Sequence, residues 1–229
     1  MQIADLAGLL LQRNQNVLFA DTCTILDVIR SPIRSDMSVM ETAFRISAEI
    51  NAAGLPFSIV LPELFLKEWA DNVKLVRDTL TNGLRGHTRL SGAVDRLHQS
   101  LHNTPLVIPD ITSFGFEDAL ENLCNQIIAS AEVVEGDFAK RAMDRAIYLR
   151  APASTGKPEP KDCLIFETFL GLAAELRARG STKRLVFVSS NTTDYGKASD
   201  LKPDIANDLA LFNADFAASL DHGYYLASL

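Results

Sequence analysis

Two short apolar runs constrain the fold of this chain more than any other feature. Val17–Ala20 ends in Asp21-Thr22, and Arg184–Ser189 (RLVFVS) ends in Ser190-Asn191-Thr192-Thr193-Asp194-Tyr195-Gly196. Short continuous apolar runs bounded by turn residues read as strands buried on both faces, the pattern of a parallel sheet. Open α/β sheets place their sites outside the carboxyl ends of such strands. Both runs deliver acidic or amide side chains to that edge. Taken alone, Asp21 is either a helix cap or a ligand. Asp27, inside the next apolar stretch, belongs to the following helix as a structural polar contact.

The other elements follow in order. Ile3–Leu11 reads as a short helix and Asn16–Asp21 as the first strand, with Thr22 or Thr24 capping a helix that Pro32 closes after Arg30. Met37–Ala53 carries Met40, Ala43, Phe44, Ile46 and Ile50 at helical spacing and ends at Gly54. Ser58–Leu61 is the second strand, broken by Pro62. Glu63–Val73 opens a long helical region with Glu68 in its first two turns, and Leu75–His102 continues it with an interruption expected at Asn82-Gly83. Pro105–Pro109 is either a short extended piece or a connection. Phe116–Ser130 and Gly136–Tyr148 read as helices. No strand is expected between about 71 and 150, which reads as a helical insertion in a single domain spanning 1–229. Ala151–Lys161 is a loop by composition. Asp162-Cys163 opens a helix that closes at Gly180. Pro203–Phe212 and a segment around Ala214–Leu220 read as helices, and Gly223–Ala227 as a terminal strand.

Composition narrows the function classes. The chain has 229 residues, 47% hydrophobic and 22% charged, enough for one large α/β domain. Its apolar stretches are short and interrupted, so no membrane partner is expected. Met1–Leu11 lacks a basic leader, and three widely spaced cysteines, Cys23, Cys124 and Cys163, form no disulfide framework. A cytoplasmic setting is the expectation. His98 and His102 stand four apart without the glutamate of a zinc-protease motif and read as helix surface. A net charge of -7 argues against nonspecific coating of nucleic acid. It remains compatible with an enzyme that reaches nucleic acid through metal ions and a local basic rim.

Asp21, Glu68, Asp162 and the Asn191/Asp194 turn each have an ordinary role as cap, solvated helix residue or turn former. As a set they aim carboxylates at what can be one cleft. Crowded carboxylates repel and desolvate poorly, and a divalent cation relieves both costs, with hard oxygen ligands favouring Mg²⁺ or Mn²⁺. The chemistry that follows is metal-assisted hydrolysis. No G-x-S-x-G elbow, phosphate-binding loop or G-x-G-x-x-G competes, and Gly156-Lys157 lacks the phosphate-loop spacing. Cys23 has no local histidine and reads as a residue behind the site.

The chain resembles the PIN-domain family of metal-dependent nucleases, in particular the larger bacterial PIN-like proteins. VLFADTCTILDV is similar to the family's first strand, with Asp21 in the acidic and Thr22 in the hydroxyl position. LPELFLKEWADN resembles the second motif and selects Glu68 over Glu63. KDCLIFETFLGLA resembles the third, with Asp162 at the helix start. LVFVSSNTTDYG resembles the hydroxyl-x-Asp-x-x-Asp-Phe segment, with Ser189, Asn191, Asp194 and Tyr195 on its marked positions, and LKPDIANDLALF resembles the C-terminal portion. The departure is Asn191, an amide where the family has a carboxylate.

The resemblance implies a three-layer αβα sandwich with a parallel central sheet. It also implies hydrolysis of RNA or single-stranded nucleic acid, with Mg²⁺ or Mn²⁺ held by Asp21, Glu68 and Asp162, together with Asn191 and Asp194. Thr22 and Ser189 would orient a ligand or phosphate oxygen. Arg145, Lys157 and Lys161 flank the third motif as candidates for substrate phosphates, and Glu167 is a further ligand candidate. A toxin or defence setting, an antitoxin or other protein partner, and a homodimer stay open. So do a metal-dependent phosphoesterase on other substrates and a noncatalytic RNA-binding scaffold.

Overall fold

The computed structural model describes residues 1–34, 36–52 and 54–229. The helices are α1 Ile3–Arg13, α2 Thr22–Arg34, α3 Met37–Ala52, α4 Glu63–His102, α5 Phe116–Ser130, α6 Ala139–Ile147, α7 Pro160–Ala178, α8 Thr192–Tyr195, α9 Pro203–Leu211 and α10 Leu220–Ser228. The strands are β1 Asn16–Ala20, β2 Phe57–Pro62, β3 Glu132–Val134, β4 Leu185–Val188 and β7 Asp215–Ala217, with a two-residue hairpin of β5 Gly196–Lys197 and β6 Asp200–Leu201 between β4 and α9. The final residue of the helix expected over Met37–Ala53 lies outside the described residues.

The sheet is parallel throughout, in the order β3-β2-β1-β4-β7. Its two faces separate by strand alternation. Val17, Phe19, Val60, Leu185, Phe187 and Phe216 pack against α1, α7 and α9. Leu18, Ala20, Ile59, Leu61, Val186 and Val188 pack against α2, α3, α5, α10 and the first half of α4. Two cores on opposite faces of one sheet make a three-layer αβα sandwich, as the resemblance implied. The chain moves from β1 outward through β2 to β3, then returns to the other side of β1 with β4. The carboxyl ends of β1 and β4 therefore form a topological switch point, where connections leave in opposite directions and open a crevice.

Several elements differ from the sequence reading. Pro32 does not end α2. Proline leaves the carbonyl four residues earlier without its donor, and the Ser31 hydroxyl donates to that Val28 carbonyl at 2.7 Å. Asn82-Gly83 does not interrupt α4, which runs 40 residues, about 60 Å at helical rise. Gly83 serves packing instead, since a Cβ there would stand 2.4 Å from Ile33 Cγ2 at the end of α2. Beyond Leu84 no side chain of α4 is buried. The return segment lies back on the helix, with the Leu106 amide donating to Asp95 Oδ1 at 2.7 Å.

The stretch expected to hold no strand contains β3, which pairs with Val60–Pro62 at the sheet edge. Three residues carry no periodicity, so only the pairing reveals it. The chain's end reverses the expected order. Asp215–Ala217 is an edge strand on β4, and the segment expected as a strand is α10. Among the described residues no helix is long and apolar enough to cross a membrane.

Gly223 explains how α10 reaches the sheet: a Cβ there would lie 2.6 Å from Val188 Cγ2. Alanine is the better helix former by about 1 kcal/mol, yet Gly223→Ala is expected to lower stability by roughly 1–3 kcal/mol because the contact overpacks. Urea unfolding checks this, and a neutral or stabilised variant would contradict the close approach.

Candidate functional site

The crevice at the switch point is lined by Asp21, Thr22, Cys23, Leu26, Arg30, Glu68, Asn72, Asp162 and Asn191 and encloses about 180 Å³. Each acidic residue arrives on a different element. Asp21 follows β1, its backbone N–H donating to the Val188 carbonyl at 2.9 Å. Glu68 lies in the second turn of α4, and Asp162 in the first turn of α7. Thus the two walls of the crevice are α2 and α4, and α7 closes its end.

Asp21 is buried, and its Oδ2 accepts from Ser189 Oγ at 2.8 Å and from Cys23 Sγ at 3.2 Å. Burial raises its carboxyl above the ordinary range; the two hydrogen bonds oppose that rise and Glu68 adds to it. Thr22 and Thr24 do not cap α2 with their hydroxyls. Thr22 Oγ1 donates to Glu68 Oε2 at 2.9 Å, and Thr24 Oγ1 to the Val188 carbonyl at 3.2 Å. Lys161 Nζ stands 3.5 Å from Glu68 Oε1 and is more than half exposed, at the rim. Asp162 is pushed up to about 7, first by burial, then by Asp21, Glu159, Asp194 and Glu68.

Asn191 lines the crevice beside Asp162. Its Nδ2 donates to Asp162 Oδ2 and to Asp194 Oδ2, both at 2.8 Å. The amide bridges two carboxylates as a donor, so its nitrogen, not its oxygen, meets the acidic groups. Asp194 is buried outside the crevice lining and also accepts from Lys157 Nζ at 2.7 Å. Lys157 is further paired with Glu159 at 3.0 Å. These contacts raise the lysine's pKa, first through Asp194. Tyr195 is fully buried, and its hydroxyl donates to the Asp162 backbone carbonyl at 3.1 Å, tying the start of α7 to the turn after β4.

Like Asp194 and Lys157, the candidates Arg145 and Glu167 lie outside the crevice lining. Arg145 does not face the crevice: it is 2% exposed, and its Nε donates to Glu167 Oε1 at 2.7 Å while its Nη atoms bond Asp208 and the Ala151 carbonyl. Glu167 is correspondingly no ligand of the crevice; it pairs with Arg145 and with Arg141 at 2.9 Å. Five residues turn a helix by about 140°, which puts Asp162 and Glu167 on different faces of α7. The Ser189 hydroxyl is 0% exposed and donates to Asp21, so of its two expected partners it orients the ligand carboxylate. The sequence reading missed Leu26, Arg30 and Asn72. Helical spacing carries the signal: Thr22, Leu26 and Arg30 stand four apart along α2, and Asn72 follows Glu68 by four on α4.

The donor chemistry of Asp21, Glu68 and Asp162 fits a hard divalent cation. Asp162's carboxyl is raised first by burial and then by the neighbouring carboxylates. Among the described residues, no three His, Cys, Asp or Glu side chains already stand grouped as a coordination shell. No family profile, no curated protein and no solved structure matches the chain.

The Arg145 cluster yields a stability prediction. Arg145→Met leaves Glu167 and Asp208 buried without their central partner and is expected to cost about 3–5 kcal/mol. Urea unfolding measures it. A change below about 1 kcal/mol would contradict a buried structural role for this arginine.

Proposed function

We propose that this protein is a PIN-like, metal-dependent nuclease that hydrolyses phosphodiester bonds of single-stranded RNA. The observation that carries the proposal is the arrival of Asp21, Glu68 and Asp162, from three elements far apart in sequence, in one crevice at the switch point. Carboxylates gathered in a half-buried cleft are costly unless a cation uses them. The motif resemblance around these three residues supports the same reading.

In this reading Asp21, Glu68 and Asp162 hold Mg²⁺ or Mn²⁺. The bound ion supplies Lewis acidity and offsets the negative charge that develops on a phosphate under attack by water. The chain's other residues set the geometry. Ser189 and Cys23 fix the Asp21 carboxylate, and Thr22 fixes Glu68. Lys161, exposed at the rim beside Glu68, meets a substrate phosphate as a point charge.

Cleavage of single-stranded RNA in Mn²⁺ or Mg²⁺ is the direct test. Chelation with EDTA is expected to abolish it, and Asp21→Asn to lower it by more than about 100-fold, beyond the usual effect of losing a supporting contact. Equal activity in the variant rejects the reading. Ser189→Ala is expected to weaken Mn²⁺ affinity about 10–100-fold, measured by calorimetry, because the Asp21 carboxylate loses its hydroxyl donor. Unchanged affinity would place Ser189 outside the metal's support.

One arrangement favours a second reading. Asn191 replaces a carboxylate, and Lys157 neutralises Asp194, which suits a scaffold that binds RNA without cutting it. Tight RNA binding with no turnover in either metal decides for that reading.

A further inference from the structure

We propose that Arg30 is a phosphate-binding subsite that makes the substrate a strand laid along α2 and not a small phosphate ester. The inference rests on the nuclease reading above. Among the described residues lining the crevice, Arg30 is the one cation. It shares a face of α2 with Thr22 and Leu26, two turns beyond the acidic end. Eight residues of helix separate Arg30 from Thr22 by about 12 Å. That is too far for the phosphate under attack and suits a neighbouring one on the same strand. The opposite wall of the crevice presents Asn72, whose amide donates to the Glu68 backbone carbonyl at 2.8 Å.

The charge around Arg30 is in surplus. Its Nη1 donates to Asp27 Oδ1 at 2.9 Å, and Arg34 Nη1 donates to the same oxygen at 2.7 Å. Two guanidinium groups share one carboxylate, leaving a net positive charge beside an acidic crevice in a chain of net charge -7. The described residues engage only one of Arg30's donors, and a guanidinium fork is suited to receiving a phosphate through the others. Arg34 is more exposed and does not line the crevice, so it holds Asp27 without reaching a strand in the channel.

The test is binding of a fluorescein-labelled single-stranded oligouridylate, in Ca²⁺ to hold the complex without turnover, across a series of salt concentrations. Arg30→Gln is expected to weaken binding about tenfold or more. It should also flatten the slope of log affinity against log salt by about 0.7, the signature of one lost contact to a single strand. Arg30→Lys should keep the slope while binding less tightly than wild type, because a point charge replaces the fork. Asp27→Asn should tighten binding by releasing Arg30, a gain that a purely structural role for the pair would not produce. Arg34→Gln should leave the slope unchanged, and circular dichroism on each variant separates binding effects from unfolding. If wild type binds and cleaves while Arg30→Gln keeps its affinity and slope, the subsite is overturned and the nuclease reading stands. If wild type neither binds the strand nor cleaves RNA in Mn²⁺, the nuclease reading fails and takes the subsite with it.

Discussion

The pairing of β1 with β4 is the contact on which the rest of this protein depends. Val17–Ala20 matches Leu185–Val188 residue for residue, and the ladder continues one step further through the Asp21 amide to the Val188 carbonyl. That last bond sets Asp21 and Ser189 side by side, 168 positions apart in sequence. Because β2 and β7 lie on opposite sides of this pair, the connections diverge there and leave a crevice that loops cannot fill. A one-residue slip in the register would turn Asp21 into the opposite layer and disperse the acidic group.

The aromatic core holds that register from beneath. Phe187 contacts Phe19, Phe166, Phe169, Tyr195 and Phe216 with ring centroids 5.2–6.2 Å apart. Tyr195 is both part of this core and, through its hydroxyl, the anchor of the backbone at Asp162. Packing and site geometry are therefore coupled through one side chain. The crevice itself works against folding. Its carboxylates are buried faster than they are paired, which is why Asp162 rises to about 7 and why hydroxyl, thiol and amide donors crowd onto the acids.

Much of this was legible in the sequence. Strands buried on both faces are apolar throughout, so β1, β2 and β4 announce themselves, and α5 and α7 are long apolar-rich segments with a glycine just beyond one end. The segments that escaped are those whose state is set by neighbours. β3 and β7 are three residues each and exist because a parallel edge was waiting for them. α10 contains a glycine that looks like a breaker until Val188 is seen pressing against it. Pro32 stays helical because the preceding serine supplies the missing hydrogen bond.

For the site, the sequence by itself determined which carboxylates stand at strand ends and helix starts, since that depends on local periodicity and turn chemistry. It therefore marked Asp21 and Asp162, while the motif resemblance selected Glu68 over Glu63. Only the tertiary structure decided the fate of the cations and amides. Arg145 and Arg30 look alike along the chain, each a basic residue on an amphipathic helix. Arg145 is sealed into the core because Glu167 and Asp208 meet it from two other helices. Arg30 keeps its place on the crevice wall because Asp27 is shared with Arg34. A charged side chain's role follows from its partners, and those partners are brought in by packing, which no local pattern encodes.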